Sequence, residues 1–219
     1  MRKLVTVRPP WLLLAAAVAI VAIGAGSRIV KHPEDASGAA AHAGLAALFP
    51  LVLGIMALAG EYRHRTVADT YLSTPDRARV LLQKFTVYTI VGAGFGIVAA
   101  ATAAVIVLAG AEGGLPYATL AGAVAWNTLF AAIGVGLGAL VRSQVAAIAG
   151  ALAWLALVEG VAAELLGDDA ARWLPFRAAT ALGGMPGATL SQGTAAAVLG
   201  AYALAFIGAA FAMRRRDLP

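Results

Sequence analysis

The sequence contains no cysteine among its 219 residues. Disulfides, thiolate metal sites and cysteine nucleophiles are therefore excluded, and the redox compartment is left open. Charged residues are also scarce, at 12% of the chain, whereas soluble domains carry about 25%. Because 61% of the residues are hydrophobic and gather in runs of about 20, the composition is typical of an integral membrane protein.

Several motifs that carry chemistry are also missing. The sequence has no GxxxxGK(S/T) phosphate loop and no HExxH zinc motif. His32, Glu34, Asp35 and His42 match no strong ligand spacing, so we interpret them as solvated loop residues and not as a metal site. The chain is accordingly predicted to be no enzyme, with no catalytic residue, no metal site and no cofactor of its own.

Six apolar runs predict six transmembrane helices, and hence an all-α fold with a single domain over 1–219. The predicted spans run over about 11–29, 43–59, 80–109, 117–141, 145–165 and 194–213. At 1.5 Å per residue each can cross a hydrocarbon core of about 30 Å. The third is longer than this, so its first turns are expected to project from the bilayer, starting at Thr74-Pro75-Asp76.

The distribution of positive charge predicts the orientation. With the N-terminus inside, most of the 16 lysines and arginines fall on the inner side, which favours both termini in the cytoplasm. The outer side then holds Arg28, Lys31, Arg172 and Arg177. In a membrane protein this distribution matters more than the pI near 10, which does not indicate a nucleic-acid partner.

The connection over 160–193 differs from the other loops because it is long and still rather apolar. Irregular backbone at membrane depth is tolerated only where protein or a cavity shields it. The segment is therefore either a short helical excursion that re-enters the outer leaflet or an ordinary loop lying on the outer surface.

Two polar residues inside the spans are candidate substrate-path residues. Glu159 is either a functional intramembrane acid or an interfacial residue that snorkels or pairs with Arg172 or Arg177. Asn127 is either a helix–helix hydrogen-bonding residue or a substrate contact.

Glycines four residues apart predict close approach of helix backbones. Gly92 and Gly96 form such a pair in the third span, and Gly134 and Gly138 form another in the fourth. The helix faces that carry these glycine pairs are predicted either to pack within the chain or to form a contact between two copies of it.

The stretch over 60–84 carries eight charged residues between two apolar runs. Placing them at the bilayer centre would cost on the order of 20 kcal/mol, so the stretch must lie outside the membrane. Tyr62 and Thr66, and then Val67 and Tyr71, recur at helical spacing. This pattern predicts a short amphipathic helix along the inner surface, which either docks a partner or only anchors the loop.

Gly60-Glu61-Tyr62-Arg63, Thr66, Leu72, Pro75, Arg77 and Lys84 resemble the cytoplasmic loop of the type-2 ABC exporter permeases. That loop reads approximately GExRxGT, followed by a leucine, a proline and an arginine, with a lysine opening the third span. Arg65 departs from the pattern, since the family often has glycine there. Its ATPase contact is therefore expected to differ.

The resemblance implies a permease of an ATP-driven exporter in a bacterial inner (plasma) membrane, moving a hydrophobic or amphipathic substrate out of the cytoplasm. The loop would be a coupling helix on a separate ABC ATPase subunit, present in two copies that hold ATP and Mg. The permease would form a homodimer or pair with a paralogue. The first, second and fifth spans would line the path and the dimer interface. Re-entrant helices before the sixth span would close the outer end of the path. The ATPase-coupling residues implied are Glu61, Tyr62, Arg63, Arg65, Thr66, Val67 and Tyr71.

Two other functions remain open from the residues alone. One is a non-transporting membrane anchor or regulatory subunit, and the other is a membrane-embedded lipid-modifying enzyme. An enzyme of the second kind needs clustered acids or histidines near a leaflet, and the sequence shows no such cluster.

Overall fold

The computed structural model describes residues 8–63, 77–141 and 143–214, and every regular element within these ranges is helical. Six helical stretches are long and apolar enough to cross a membrane, which confirms the predicted multi-pass, all-α architecture. These spans are Pro10–Lys31, Ala36–Gly60, Ala78–Gly110, Tyr117–Leu140, Gln144–Leu166 and Gln192–Met213.

The individual helices subdivide two of the spans and add two short helices before the last one. In chain order they are α1 (Arg8–Lys31), α2 (Ala36–Leu45), α3 (Leu48–Arg63), α4 (Arg77–Gly110), α5 (Tyr117–Leu140), α6 (Gln144–Ala153), α7 (Glu159–Leu166), α8 (Asp168–Ala171), α9 (Pro175–Leu182) and α10 (Gln192–Arg214). A single π-helical segment, Trp154–Val158, joins α6 to α7. The second span thus consists of α2 and α3, and the fifth of α6, the π segment and α7.

The second span begins at Ala36 and not at the predicted residue 43, because Asp35 caps it. The Asp35 carboxylate accepts a hydrogen bond from the Gly38 N–H at 2.8 Å and another from Arg28 Nε at 2.8 Å. These two bonds, the backbone one foremost, lower the pKa of Asp35 below its ordinary value.

His42 consequently lies inside a helix, so the expectation that it is a solvated loop residue was wrong. Its Nδ1 lies 2.9 Å from the Gly38 carbonyl oxygen, and its ring fills the space over Gly24 of α1. His32 remains exposed beside Glu34, 3.3 Å away. Within the described residues no three histidines or acids gather as metal ligands.

The glycine pairs serve packing within the chain. A Cβ atom at Gly134 would clash with the Leu51 carbonyl oxygen of α3, and one at Gly138 with the Ile55 carbonyl oxygen. Gly92 and Gly96 of α4 similarly lie against the backbone of α5 around Asn127. The fourth span therefore packs backbone to backbone between the second and third.

The spans differ strongly in how much the chain itself buries. In an apolar stretch of 18 residues from each span, 67% and 61% of the residues are buried in the second and fourth spans, against 22%, 17% and 22% in the first, fifth and sixth. The second and fourth thus form the centre of the bundle. The other three leave most of their apolar surface for lipid or for another chain.

Candidate functional site

The bundle has two chemically different ends. We call the end that carries the connections 32–35, 111–116 and 167–191 the acidic end, because Glu34, Asp35, Glu112, Asp168 and Asp169 lie there. We call the opposite end the basic end; there α3 ends at Arg63, α4 begins at Arg77, and the described residues begin at Arg8 and end at Arg214. The described side-chain constellations of functional interest lie mainly at the acidic end.

The connection between the fifth and sixth spans folds back onto the bundle as α8 and α9. The ring of Phe176 in α9 meets Trp126 of α5 edge to face, with centroids 5.9 Å apart. At the other end of α9, the Leu182 carbonyl lies so close to Gly122 that a Cβ there would clash. The Gln192 side chain donates to the Leu182 carbonyl at 2.9 Å and to the Ala118 carbonyl at 3.1 Å, which ties α9 to both neighbouring spans.

Glu159 holds the N-terminus of α9 from the fifth span. Its side chain is 2% exposed. The backbone N–H of Phe176 donates to both carboxylate oxygens at 2.9 Å, and the N–H of Arg177 donates to Oε2 at 3.1 Å. Trp154 Nε1 donates to Oε1 at 3.2 Å. A carboxylate at a helix N-terminus satisfies amides that have no partner within the helix and interacts favourably with the helix dipole.

These contacts bear on one of the two interpretations of Glu159, that of an interfacial residue which snorkels or pairs with an arginine. The carboxylate does not snorkel, and its hydrogen-bond donors are two amides and an indole instead of an arginine side chain. Each oxygen already accepts two bonds, which is about its full capacity. Glu159 is therefore a positioning residue for α9 in this structure, and a direct part in a substrate path stays a prediction.

The π segment explains how Glu159 reaches α9. A π-helical turn inserts an extra residue into a helix and rotates the side chains that follow it. Here it spans Trp154–Val158 and ends where Glu159 begins α7. The sequence contains no proline or glycine in this segment that would have indicated it.

The depth of α9 can be measured along two spans. At 1.5 Å per residue, Glu159 lies about 10 Å from Leu166, the last residue of its span. Trp126, which contacts Phe176, lies about 13 Å from Tyr117, the first residue of the fourth span. Both measurements place the N-terminus of α9 well below the ends of the spanning helices.

Two cavities lie on either side of the contact between the fifth span and α9. The first, of about 470 Å³, has walls that are polar and apolar in about equal parts, and we call it the polar cavity because its lining includes Arg172, Arg177, Asp168 and Glu159. The second, of about 490 Å³, is almost wholly apolar and is lined by aromatic rings of three spans: Phe130, Trp154, Tyr202 and Phe206. Leu155 lines both cavities, so they adjoin.

Asn127 lies elsewhere, fully buried where the second and fourth spans meet. Its Nδ2 donates to the Ala43 carbonyl at 3.2 Å and to the Ala123 carbonyl at 2.9 Å. This geometry is that of a helix–helix hydrogen bond. Asn127 and Glu159 are therefore not brought together, and their hydrogen bonds share no partner.

At the basic end, the structure describes the flanks of the charged stretch. The backbone of Glu61, Tyr62 and Arg63 continues the helix α3 without a break. Lys84 of α4 donates from Nζ to the Ala57 carbonyl at 2.7 Å and so ties the third span to the second. Of the other residues predicted to couple to an ATPase, Arg65, Thr66, Val67 and Tyr71 lie outside the described residues.

Comparison with known proteins adds no assignment. No protein-family model matches the chain, and no curated protein matches it. A function for this chain must therefore be inferred from its residues and their geometry.

Proposed function

We propose that this chain is the permease subunit of an ATP-driven ABC exporter. A hydrophobic or amphipathic substrate would leave the cytoplasm through a pair of permeases powered by two copies of a separate ATPase, which would hold ATP and Mg. Six apolar spans, together with one charged stretch between the second and third, support this proposal.

The observation that carries the proposal concerns the two helices flanking that stretch: α3 continues into the stretch, and a hydrogen bond joins α3 to α4. Since α3 runs unbroken from Leu48 into the Gly60-Glu61-Tyr62-Arg63 motif, a displacement of the motif would be transmitted along α3, the part of the second span nearest the motif. The Lys84 bond to Ala57 would make the third span follow. The coupling residues would thus act at the end of a rigid helical pair.

The excursion before the sixth span supports a closure at the opposite end. We infer that α9 re-enters the leaflet at the acidic end, because Glu159 and Trp126 hold it about 10–13 Å below the helix ends. Half of its residues, Ala178, Ala179, Ala181 and Leu182, are buried, which agrees with the protein shielding that re-entrant segments require.

The partner permease would contact the least buried spans. The first and fifth spans, which the resemblance assigns to the path and the dimer interface, leave most of their surface uncovered in one chain. The second span is mostly buried, so only a limited part of it would face a path.

Replacing Glu61 or Arg63 with alanine is expected to lower substrate-stimulated ATP hydrolysis and transport severalfold while leaving membrane insertion intact. The reason is that each change removes a charged contact to the ATPase and leaves the apolar spans unchanged. The measurement is ATPase activity of the complex reconstituted with its ATPase subunit. Glu112→Ala and Lys31→Ala, which remove the same charges at the acidic end, serve as controls and should leave coupling intact.

Wild-type coupling in both Glu61→Ala and Arg63→Ala would contradict the coupling role. A chain that never retains an ATPase in mild detergent would contradict the exporter altogether and favour the anchor or regulatory subunit.

We further propose that both termini are cytoplasmic, in a bacterial inner membrane. Because the chain has no cysteine, single cysteines can report orientation without background. Glu112→Cys at the acidic end should react with an impermeant maleimide in intact cells, whereas Ser143→Cys should react only after lysis. Both positions are exposed. The reverse labelling pattern would overturn the orientation and leave the fold untouched.

A further inference from the structure

The two cavities beside Glu159 differ in polarity, and they follow one another along the fifth span. Along the fifth span, the apolar cavity takes Gly150 to Leu155, and the polar cavity takes Leu155 to Gly160. The polar cavity thus lies toward the acidic end, with Asp168 and Arg172 on its wall. The apolar cavity lies toward the bilayer interior. A lipid in a leaflet has the same order, with its headgroup at the interface and its chains toward the midplane.

The charges of the polar cavity favour a phosphate. Arginine binds phosphate through several donors in one plane, so two arginines at the wall of one cavity suit a phosphate group. Arg172 keeps a buried Nε–H with no acceptor among the described atoms. Its ion pair with Asp169 is long, at 3.4 Å, and Asp169 is 97% exposed, so that pair contributes little. Arg177 is exposed at the cavity wall.

The two carboxylates of the cavity are compatible with this ligand. The oxygens of Glu159 are filled by the N-terminus of α9 and by Trp154, so they do not compete for the arginines. Asp168 is exposed at the cavity wall and can accept a hydrogen bond from a hydroxyl of the headgroup.

The apolar cavity suits an acyl chain. Its walls are formed by Phe130, Trp154, Tyr202 and Phe206 together with aliphatic side chains, and its volume of about 490 Å³ lies within the range of small-molecule sites. Leu155 lines this cavity and the polar one, so the two cavities meet at this residue.

We propose that the two cavities form one binding site for a bilayer glycerophospholipid, with the phosphate between Arg172 and Arg177 and an acyl chain among the aromatic rings. This site lies within a single chain and does not depend on the proposed transport function, because binding can be measured without an ATPase.

The test is binding of dioctanoyl phosphatidylglycerol to the purified full-length chain in detergent, followed by native mass spectrometry and by tryptophan fluorescence. Two further probes separate the parts of the ligand: dioctanoylglycerol, which lacks the phosphate, and glycerol phosphate, which lacks the chains. We expect the whole lipid to bind at least about tenfold more tightly than either probe, because each probe makes only part of the contacts.

Two variants test the two halves of the site. Arg172→Gln with Arg177→Gln removes the charges and should weaken lipid binding by about tenfold or more. Gly150→Leu should weaken it comparably, since a Cβ at Gly150 meets no atom within 4 Å and its side chain would occupy the apolar cavity. The matched controls are Lys31→Gln, an exposed cation of the same end, and Gly208→Leu, an exposed glycine with equal space outside both cavities.

The expected result is weakened binding in the two site variants and wild-type binding in the two controls, with unchanged helical content throughout. Wild-type affinity in both site variants would overturn the proposal. Equal binding of dioctanoylglycerol would overturn the phosphate role, and equal binding of glycerol phosphate would show an anion site without a lipid. A loss of coupling in the Glu61 or Arg63 variants bears on the exporter alone and not on this site.

Discussion

Replacing Glu159 with alanine is expected to lower the free energy of unfolding by on the order of 4 kcal/mol. Three donors lose the buried carboxylate that accepts their hydrogen bonds: the N–H groups of Phe176 and Arg177 and the indole N–H of Trp154. A donor left without an acceptor away from water costs about 1–3 kcal/mol. The cost should fall on α9 first, because it loses the residue that holds its N-terminus.

Glu159→Gln should be intermediate. Glutamine keeps one acceptor oxygen, but its amide nitrogen would then face a backbone N–H, donor against donor. The measurement is a titration of unfolding in mixed detergent micelles, combined with maleimide labelling of a single cysteine introduced at Thr180 in α9. Labelling should accelerate markedly in Glu159→Ala and less in Glu159→Gln.

Glu164→Ala is the control for this prediction, since Glu164 is an exposed acid in the same helix. It should change neither stability nor labelling. If Glu159→Ala behaved like Glu164→Ala, the carboxylate would not be what holds α9 against the fifth span.

Replacing Gly134 with alanine is expected to destabilise the bundle by about 3 kcal/mol, at the upper end of typical overpacking costs. The new methyl group would clash with the Leu51 carbonyl oxygen, which belongs to a helix backbone and cannot rotate away as a side chain would. The second and fourth spans would have to separate. Separation would also open the contacts that Gly54 and Gly138 make across the same interface.

Gly208→Ala is the matched control, because a Cβ there meets no atom within 4 Å. It removes the same backbone freedom without a clash and should be neutral or stabilising by about 0.5–1 kcal/mol. Both variants can be compared by thermal unfolding followed through tryptophan fluorescence. Equal stability of Gly134→Ala and Gly208→Ala would show that the interface is looser than the structure has it.

The sequence predicted the spans well and their fine boundaries less well. Long apolar runs are a property of composition, so five of the six spans begin and end within a few residues of their predicted limits. The second span was predicted too short at its start. The hydrogen bond from Gly38 to Asp35 caps the helix at Ala36, and the ion pair with Arg28 holds Asp35 in place. Hydropathy does not detect this cap, because it measures only how apolar each residue is.

The candidate site was predicted only in part. An acid inside an apolar span is a candidate functional residue from the sequence alone, so Glu159 could be identified. Its role in holding the N-terminus of α9 could not be predicted in the same way. That role needs the π segment to aim the side chain and the later residues Phe176 and Arg177 to supply the amides. One of the two interpretations paired Glu159 with the charged side chain of Arg172 or Arg177, whereas Glu159 accepts a hydrogen bond from the backbone N–H of Arg177.

The sequence by itself therefore determined the class of this protein: its membrane character, its number of spans and its charged stretch between the second and third. These follow from hydropathy and charge, which are local properties of the chain. Only the tertiary structure decided that the glycine pairs pack against neighbouring helices of the same chain and that Asn127 joins two helices. It also decided that the N-terminus of α9 is bound by Glu159, beside two cavities. These features depend on which backbones touch, and such contacts join residues far apart along the chain.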